Sequence, residues 1–173
     1  MTDHFFQSDT DSFHFSRIKL LLMDCDGVLT DGRLYFSDRG EELKVFHVRD
    51  GQGLALWHVA GFRSGIISGR DAGTIIQKRA EELGIHYVRV KSLDKVRDFE
   101  EIIADAGVSS EETAFVGDDV GDIDLMKKVG LAIAVADAVE EVKAAADYIT
   151  TLNGGIGAIR EVTDLLLRYK ERA

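Results

Sequence analysis

Met23-Asp24-Cys25-Asp26-Gly27-Val28-Leu29-Thr30-Asp31-Gly32 is the stretch that decides the fold of this chain. An apolar run, Ile18 to Met23 with Lys19 near its start, leads into it and reads as a buried strand. The run ends in two acids one residue apart. At the frayed end of a strand both carboxylates can turn toward one pocket, although alternate residues share a face within the strand itself. Gly27 then permits a sharp bend away. Acids at the carboxyl edge of an α/β sheet sit where such sheets bind ligands. Asp-x-Asp alone is a weak signal. Asp-x-Asp-Gly-Val-Leu-Thr-Asp-Gly directly after an apolar strand is a much stronger one.

Downstream, strands and helices alternate. Arg33 to Val48 holds two β-rich runs around Ser37-Asp38-Arg39-Gly40, a hairpin signature. A helix follows through Leu54, Leu56, Trp57 and Val59 to Gly61, with Asp50 as its expected cap. Phe62 to Ile67 reads as a second core strand ending in Ser68-Gly69-Arg70. Asp71 is the expected cap of a helix reaching Leu83, with Gly84 as its stop. Ile85 to Val90 is a third strand, and Lys91-Ser92-Leu93-Asp94-Lys95 opens a helix to Gly107. Ser109 to Glu112 reads as a capped turn before a fourth strand, Thr113 to Val116. Gly117-Asp118-Asp119-Val120-Gly121-Asp122 and a helix to Gly130 come next. A fifth strand, Leu131 to Val135, a short helix, Ala138 to Ala145, and a last strand, Tyr148 to Thr150, follow. Asn153-Gly154-Gly155-Ile156-Gly157 then leads into an amphipathic helix from Ala158 to about Tyr169. Such alternation predicts an α/β fold: a parallel, Rossmann-like sheet flanked by helices on both faces.

The 173 residues suit one domain with a substantial core, with residues 18–173 as that domain and residues 1–17 as a tail. The tail is acidic and polar with Phe5, Phe6, Phe13 and Phe15, and lacks the basic-then-apolar pattern of a signal peptide. Two readings of it stay open, a disordered segment and one whose phenylalanines bury themselves on the domain or a neighbour. A net charge of −10 argues against nucleic acid or an anionic membrane as the main partner. It leaves room for a phosphorylated substrate, because local cations and a metal can reverse the field inside one cleft. A single cysteine, Cys25, excludes an intrachain disulfide and suits a reducing, cytoplasmic compartment. Proline is absent, so turns must be built from Gly, Asp, Asn and Ser. No apolar run approaches the roughly 20 residues of a membrane span.

Three stations follow the opening acids, each at the carboxyl end of a predicted strand: Ser68, Lys95, and the cluster Asp118, Asp119 and Asp122. Taken singly each has a structural reading, as a cap, a solvated helix lysine, or acids favoured by a helix dipole. Together and in this order they fit phosphoryl transfer, which needs a positioned nucleophile, in-line geometry and neutralised oxygens. Clustered carboxylates suit Mg2+, a hard cation that prefers oxygen ligands. An Asp nucleophile gives an acyl phosphate that water can cleave. Ser68 can hydrogen-bond a phosphate oxygen, and Lys95 supplies positive charge opposite the metal.

From Ile18 to about Leu167 the chain resembles the haloacid dehalogenase (HAD) superfamily. The resemblance implies Asp24 as nucleophile and metal ligand, and Asp26 as general acid/base that also binds metal through its backbone carbonyl. It further implies Ser68 and Lys95 as phosphate holders, Asp118 as metal ligand, and Asp119 and Asp122 as supports of the metal shell or of Lys95. The gaps from Asp26 to Ser68 and from Ser68 to Lys95 leave no room for a separate cap domain. That matches the capless type with a hairpin flap, and within it the 3-deoxy-D-manno-octulosonate 8-phosphate (Kdo-8-phosphate) phosphatase family. The supporting segments are Gly40-Glu-Glu-Leu-Lys, Val48-Arg-Asp-Gly, Ser68-Gly-Arg, Gly117-Asp-Asp, Val135-Ala-Asp-Ala and Gly154-Gly-x-Gly-Ala-x-Arg-Glu-Val. By resemblance Val48, Arg49, Asp50, Gly51, Arg70 and Arg79 join the substrate site, and the reaction is a step in lipopolysaccharide precursor synthesis. Arg49 and Arg70 also have a physical rationale, since a sugar-acid carboxylate suits a guanidinium fork. Ile123-Asp124, Gly121 and Ile156 depart from common family residues without touching these positions. Related nonulosonate phosphatases share the architecture, so the exact sugar stays open at this point.

A signalling receiver domain also has acids and a lysine, but its phosphorylated Asp lies alone on a later strand, the reverse of this order. A catalytically dead module of the same fold would have lost Asp24, Asp26 or Lys95, and all are present. The hairpin carries Leu34, Tyr35, Phe36, Leu43, Val45 and Phe46. A lone two-stranded hairpin is marginal in water and leaves open edges. Hairpins from several subunits would bury those side chains together and place a neighbour over each site. The resemblance implies the same homotetramer; the alternative is a hairpin folded onto its own domain.

Overall fold

The computed structural model describes residues 14–71 and 74–171. Six strands form one parallel sheet: β1 (Leu20–Met23), β4 (Arg63–Ile67), β5 (Tyr87–Arg89), β6 (Thr113–Gly117), β7 (Leu131–Ala134) and β8 (Tyr148–Ile149). Their order across the sheet is β5-β4-β1-β6-β7-β8. Each expected core strand is present, and the α/β class with them. All of β1 is buried, as a strand covered on both faces requires. In register, Leu22 lies beside Gly65 of β4 and Phe115 of β6.

The chain winds outward from β1 through α1 (Val48–Val59), β4, α2 (Ile75–Leu83) and β5. It then returns by α3 (Lys95–Ala106) to β6 on the other side of β1, and continues through α4 (Ile123–Met126), β7, α5 (Glu140–Ala145) and β8. Right-handed crossovers put α1 and α2 on one face and α3, α4 and α5 on the other. The final helix α6 (Ala158–Glu171) lies along α1 and completes the first face. The reversal of winding falls between β1 and β6, so their carboxyl ends open the crevice in which such sheets bind ligands. No helix among the described residues is long and apolar enough to cross a membrane.

One cap differs from expectation. His47, rather than Asp50, caps α1, its Nδ1 accepting from the Arg49 amide at 3.2 Å. Asp50 is buried and instead caps α6, accepting from the amides of Arg160 at 2.8 Å and Gly157 at 3.2 Å. A cap can come from far along the chain, and local sequence shows only the near candidates. The first turn of α2 follows Thr74, and the Asp71 carboxylate pairs with Lys91 at 2.7 Å. Asp94 caps α3, and Ser109 with Glu112 forms a capping box, the latter as the sequence indicates. Of the N-terminal phenylalanines, Phe15 is described. It is buried, stacked on Tyr169 at 4.9 Å and edge-on to Tyr148 at 6.1 Å. Phe5, Phe6 and Phe13 lie outside the described residues.

The hairpin forms β2 (Tyr35–Ser37) and β3 (Gly40–Leu43), a separate antiparallel pair with a register shift between Tyr35 and Phe36. Phe36 is 66% exposed, and Leu43 and Val45 are each 50% exposed.

Asp50→Ala removes both acceptors from the buried start of α6. Stability should fall by about 1–3 kcal/mol, the usual result of stranding buried donors. Urea unfolding measures this, and an unchanged midpoint would show that the cap contributes nothing.

Candidate active site

Asp24 leaves β1 at its carboxyl end, and Gly117 closes β6 one residue before Asp118. The two strands are hydrogen-bonded neighbours, so both acids reach the same crevice. Gly27 makes the approach possible. It holds φ at +86°, and a Cβ there would lie 2.0 Å from Asp118 Oδ2. Behind it, a Cβ on Gly154 would lie 1.7 Å from the Gly27 carbonyl oxygen. The 153–157 loop is thus seated directly on the 24–32 turn, and Gly155 N donates to Val28 O at 2.9 Å.

Lys95, the first residue of α3, enters between the acids. Its Nζ lies 2.7 Å from Asp24 Oδ2 and 2.6 Å from Asp122 Oδ1. Asp122 is buried, and its other oxygen accepts from the Asp118 amide at 3.0 Å. Asp24 Oδ1 accepts from the Cys25 amide at 2.6 Å. One ligand oxygen each from Asp24, Asp118 and Asp122 lies within 4.8 Å of the others. Three carboxylates and one ammonium leave a formal surplus of two negative charges, which a divalent cation balances.

The acids register that surplus. Burial pushes Asp24 from 3.8 to about 6; Lys95 pulls it down and Asp122 pushes it up. Burial, then Asp24, Asp122 and Asp119, push Asp118 to about 8. For Lys95, burial works against the charged form, but Asp24 and Asp122 outweigh it and raise its pKa. The donor set, the short spread of its oxygens and the cramped surplus of charge all fit Mg2+.

A second group stands beside the first. Asp26 Oδ1 pairs with Lys44 Nζ, and Arg70 Nε lies 3.5 Å from Asp26 Oδ2. Ser68, buried at the end of β4, accepts from the Arg70 amide at 3.4 Å through its Oγ. The sequence-predicted residues therefore fall into place as follows. Asp24, Lys95, Asp118 and Asp122 meet in one cluster. The Asp26 carboxylate lies outside that cluster, paired with Lys44 and beside Arg70. Asp119 is exposed, and its carboxylate accepts from the Val120 amide at 2.7 Å, capping the turn before α4 rather than reaching Lys95.

Val48 and Arg49 are exposed on the first turn of α1. Asp50 faces the amides of α6, and burial raises its pKa while those amides lower it. Its carboxylate is occupied beneath the glycine loop, which leaves it a supporting place. Arg79 pairs with Glu82 at 2.8 Å and lies over the Phe46 ring, 5.5 Å from its centre. A Cβ on Gly51 would come within 2.8 Å of Arg79 Nη2. Lys44 was not among the expected site residues. Its only sequence signal is its place in Gly40-Glu-Glu-Leu-Lys, a cation between the apolar Leu43 and Val45.

Fold and site together define an α/β hydrolase of the haloacid dehalogenase type, with its acids at the switch point of a parallel sheet. Residues 72–161 match the haloacid dehalogenase-like hydrolase family. The chain is 43% identical over 150 residues to the 3-deoxy-D-manno-octulosonate 8-phosphate phosphatase KdsC of Escherichia coli K12, across 87% of this chain and 79% of that one. The structure of the corresponding phosphatase from Yersinia pestis superposes with a TM-score of 0.91 at 38% identity, covering 96% of this chain and 89% of that one. That of the Moraxella catarrhalis phosphatase, in complex with a magnesium ion, a phosphate ion and a KDO molecule, superposes with a TM-score of 0.90 at 34% identity, covering 96% and 95%. The chain belongs to the haloacid dehalogenase-like hydrolases and, within them, to the Kdo-8-phosphate phosphatase family.

Both raised carboxyl values lie above the unfolded 3.8. Between 3.8 and those values the folded protein binds protons that the unfolded chain has already released. Metal-free stability is therefore lost as pH rises through about 6 and about 8. Thermal melting in EDTA should show Tm falling across this window. Added Mg2+ should restore more stability at pH 8 than at pH 6, because its ligands must be deprotonated. A Mg2+ effect independent of pH would contradict this assignment.

Proposed function

We propose that this protein is a Mg2+-dependent phosphomonoesterase that converts Kdo-8-phosphate to Kdo and inorganic phosphate through an aspartyl phosphate on Asp24. The observation that carries the reading is the Asp24–Lys95–Asp122 network with Asp118 at the carboxyl ends of β1 and β6. Membership of the Kdo-8-phosphate phosphatase family supplies the substrate.

In this reading an Asp24 oxygen attacks phosphorus, and Asp26 gives its proton to the departing sugar oxygen. Asp26 then takes a proton from water as that water attacks the aspartyl phosphate, which restores Asp24 and frees phosphate. Lys95 and Ser68 hold phosphate oxygens, and Asp122 fixes the lysine. Mg2+, held by Asp24, Asp118 and the Asp26 carbonyl, neutralises phosphate charge so that an anionic ester can approach an anionic nucleophile. Arg49 and Arg70 are the proposed partners of the sugar-acid carboxylate, with Val48, Gly51 and Arg79 shaping that end of the cleft. The buried thiol of Cys25 suits a cytoplasmic setting.

The assembly completes the reading. Phe36, Leu43 and Val45 stand out from a hairpin that forms its own two-stranded sheet, as a surface awaiting other subunits would. A homotetramer built on these hairpins would bury them and cover each cleft. Phe36→Asp should dissociate it in sedimentation analysis and weaken turnover together. A clean wild-type monomer at micromolar concentration would refute the tetramer.

The activity itself is tested by phosphate release across Kdo-8-phosphate, nonulosonate 9-phosphates and hexose phosphates, with and without Mg2+. Kdo-8-phosphate should lead, and Asp24→Asn should keep the fold and lose turnover. Equal rates with hexose phosphates would remove the sugar assignment. Wild-type turnover by Asp24→Asn would remove the covalent one.

A further inference from the structure

Lys44 breaks the pattern of its own segment. Leu43 and Val45 on either side are half exposed, while the Lys44 side chain has no exposed surface at all. Lysine is seldom fully buried, and a buried cation is costly unless it is paired. A placement against local preference is expected where function demands it. Asp26 Oδ1 is an anionic partner of Lys44. Asp26 Oδ2 is buried, makes no hydrogen bond and lies 3.5 Å from Arg70 Nε. One oxygen is thus fastened by Lys44, while the other makes no hydrogen bond and faces Arg70 across 3.5 Å.

We infer that Lys44 is a positioning residue: it fastens Asp26 Oδ1 so that Oδ2 alone meets the leaving group. The inference rests on the proton-transfer role given to Asp26 above. A carboxylate with both oxygens unfastened would rotate about its last bond and present either one, and proton transfer depends on fixed geometry. The ammonium holds one orientation, and β3 brings it there, because Lys44 directly follows Leu43 at the end of that strand. Lys44 touches neither the phosphate holders nor the acid triad in this arrangement, so its effect passes through Asp26.

The test is leaving-group dependence. A p-nitrophenolate departs without a proton, whereas a sugar alkoxide needs one. The quantity kcat/KM reports steps up to that departure. Lys44→Met should lower kcat/KM for Kdo-8-phosphate by about 100-fold and for p-nitrophenyl phosphate by less than about 10-fold, with KM for the sugar ester little changed. In an Asp26→Asn background the same substitution should add nothing further. Equal losses on both esters would overturn the inference and leave Lys44 as a hairpin anchor; no loss on either would overturn it too. If Lys44→Met does not fold, Lys44→Gln takes its place, and failure of both to fold would assign the residue to stability alone. Wild-type turnover of p-nitrophenyl phosphate but not of Kdo-8-phosphate would sink the substrate reading instead. The Lys44 comparison would then stand on whichever alkyl phosphate the enzyme accepts. Absence of any wild-type turnover would overturn both.

Discussion

Repulsion among like charges at one sheet edge is the constraint on which this structure turns. Asp24, Asp118 and Asp122 converge within 4.8 Å, where each pair of ionised groups repels by about 4 kcal/mol at the effective dielectric of a partly buried site. The fold supplies one permanent answer, Lys95, placed by α3 with its ammonium between two of the three. It leaves the remainder unanswered. Asp118, held near 8, carries the open part of the deficit and is free of Lys95's direct bonds. A site with a surplus of two negative charges is a site prepared for a divalent cation, and a poor place for a phosphate without one.

Holding such a site together requires support from behind. The turn after β1 is backed by the glycine loop, and the loop is fixed in turn by Asp50 through the first amides of α6. The carboxyl end of β1, where Asp24 stands, is thereby tied to the last helix of the chain, more than a hundred residues away. Gly27 and Gly154 have no side chains because the neighbouring backbone and the Asp118 carboxylate occupy that space. The chemistry of the motif and the packing of its support are therefore one requirement read at two places in the sequence.

Much of this was legible in advance because the signals are local or ordered. Apolar runs gave the six strands, and acids at their ends gave the cluster, since a parallel sheet brings all carboxyl ends to one edge. What the sequence concealed depends on distance or on a violated rule. Asp50 read as a cap for the helix beside it, and the partner it has lies in α6. The ion pair of Asp71 with Lys91 spans the next strand connection, which local sequence does not show. Asp119 read as a support of the metal shell or of Lys95, and its carboxylate also accepts from its neighbouring Val120 amide. Lys44 was hidden for the opposite reason, since alternation along a hairpin sends lysine outward, and here its ammonium turns inward to Asp26.

The account stands or falls on phosphate reaching Asp24. Rapid quenching of the enzyme during turnover of Kdo-8-phosphate with Mg2+, followed by borohydride reduction, converts an aspartyl phosphate to homoserine, which peptide mass spectrometry then locates. Homoserine should appear at position 24 and at no other aspartate. Turnover without conversion at position 24, or conversion at Asp26, Asp118 or Asp122 in its place, would contradict the covalent role assigned to the acid that ends β1.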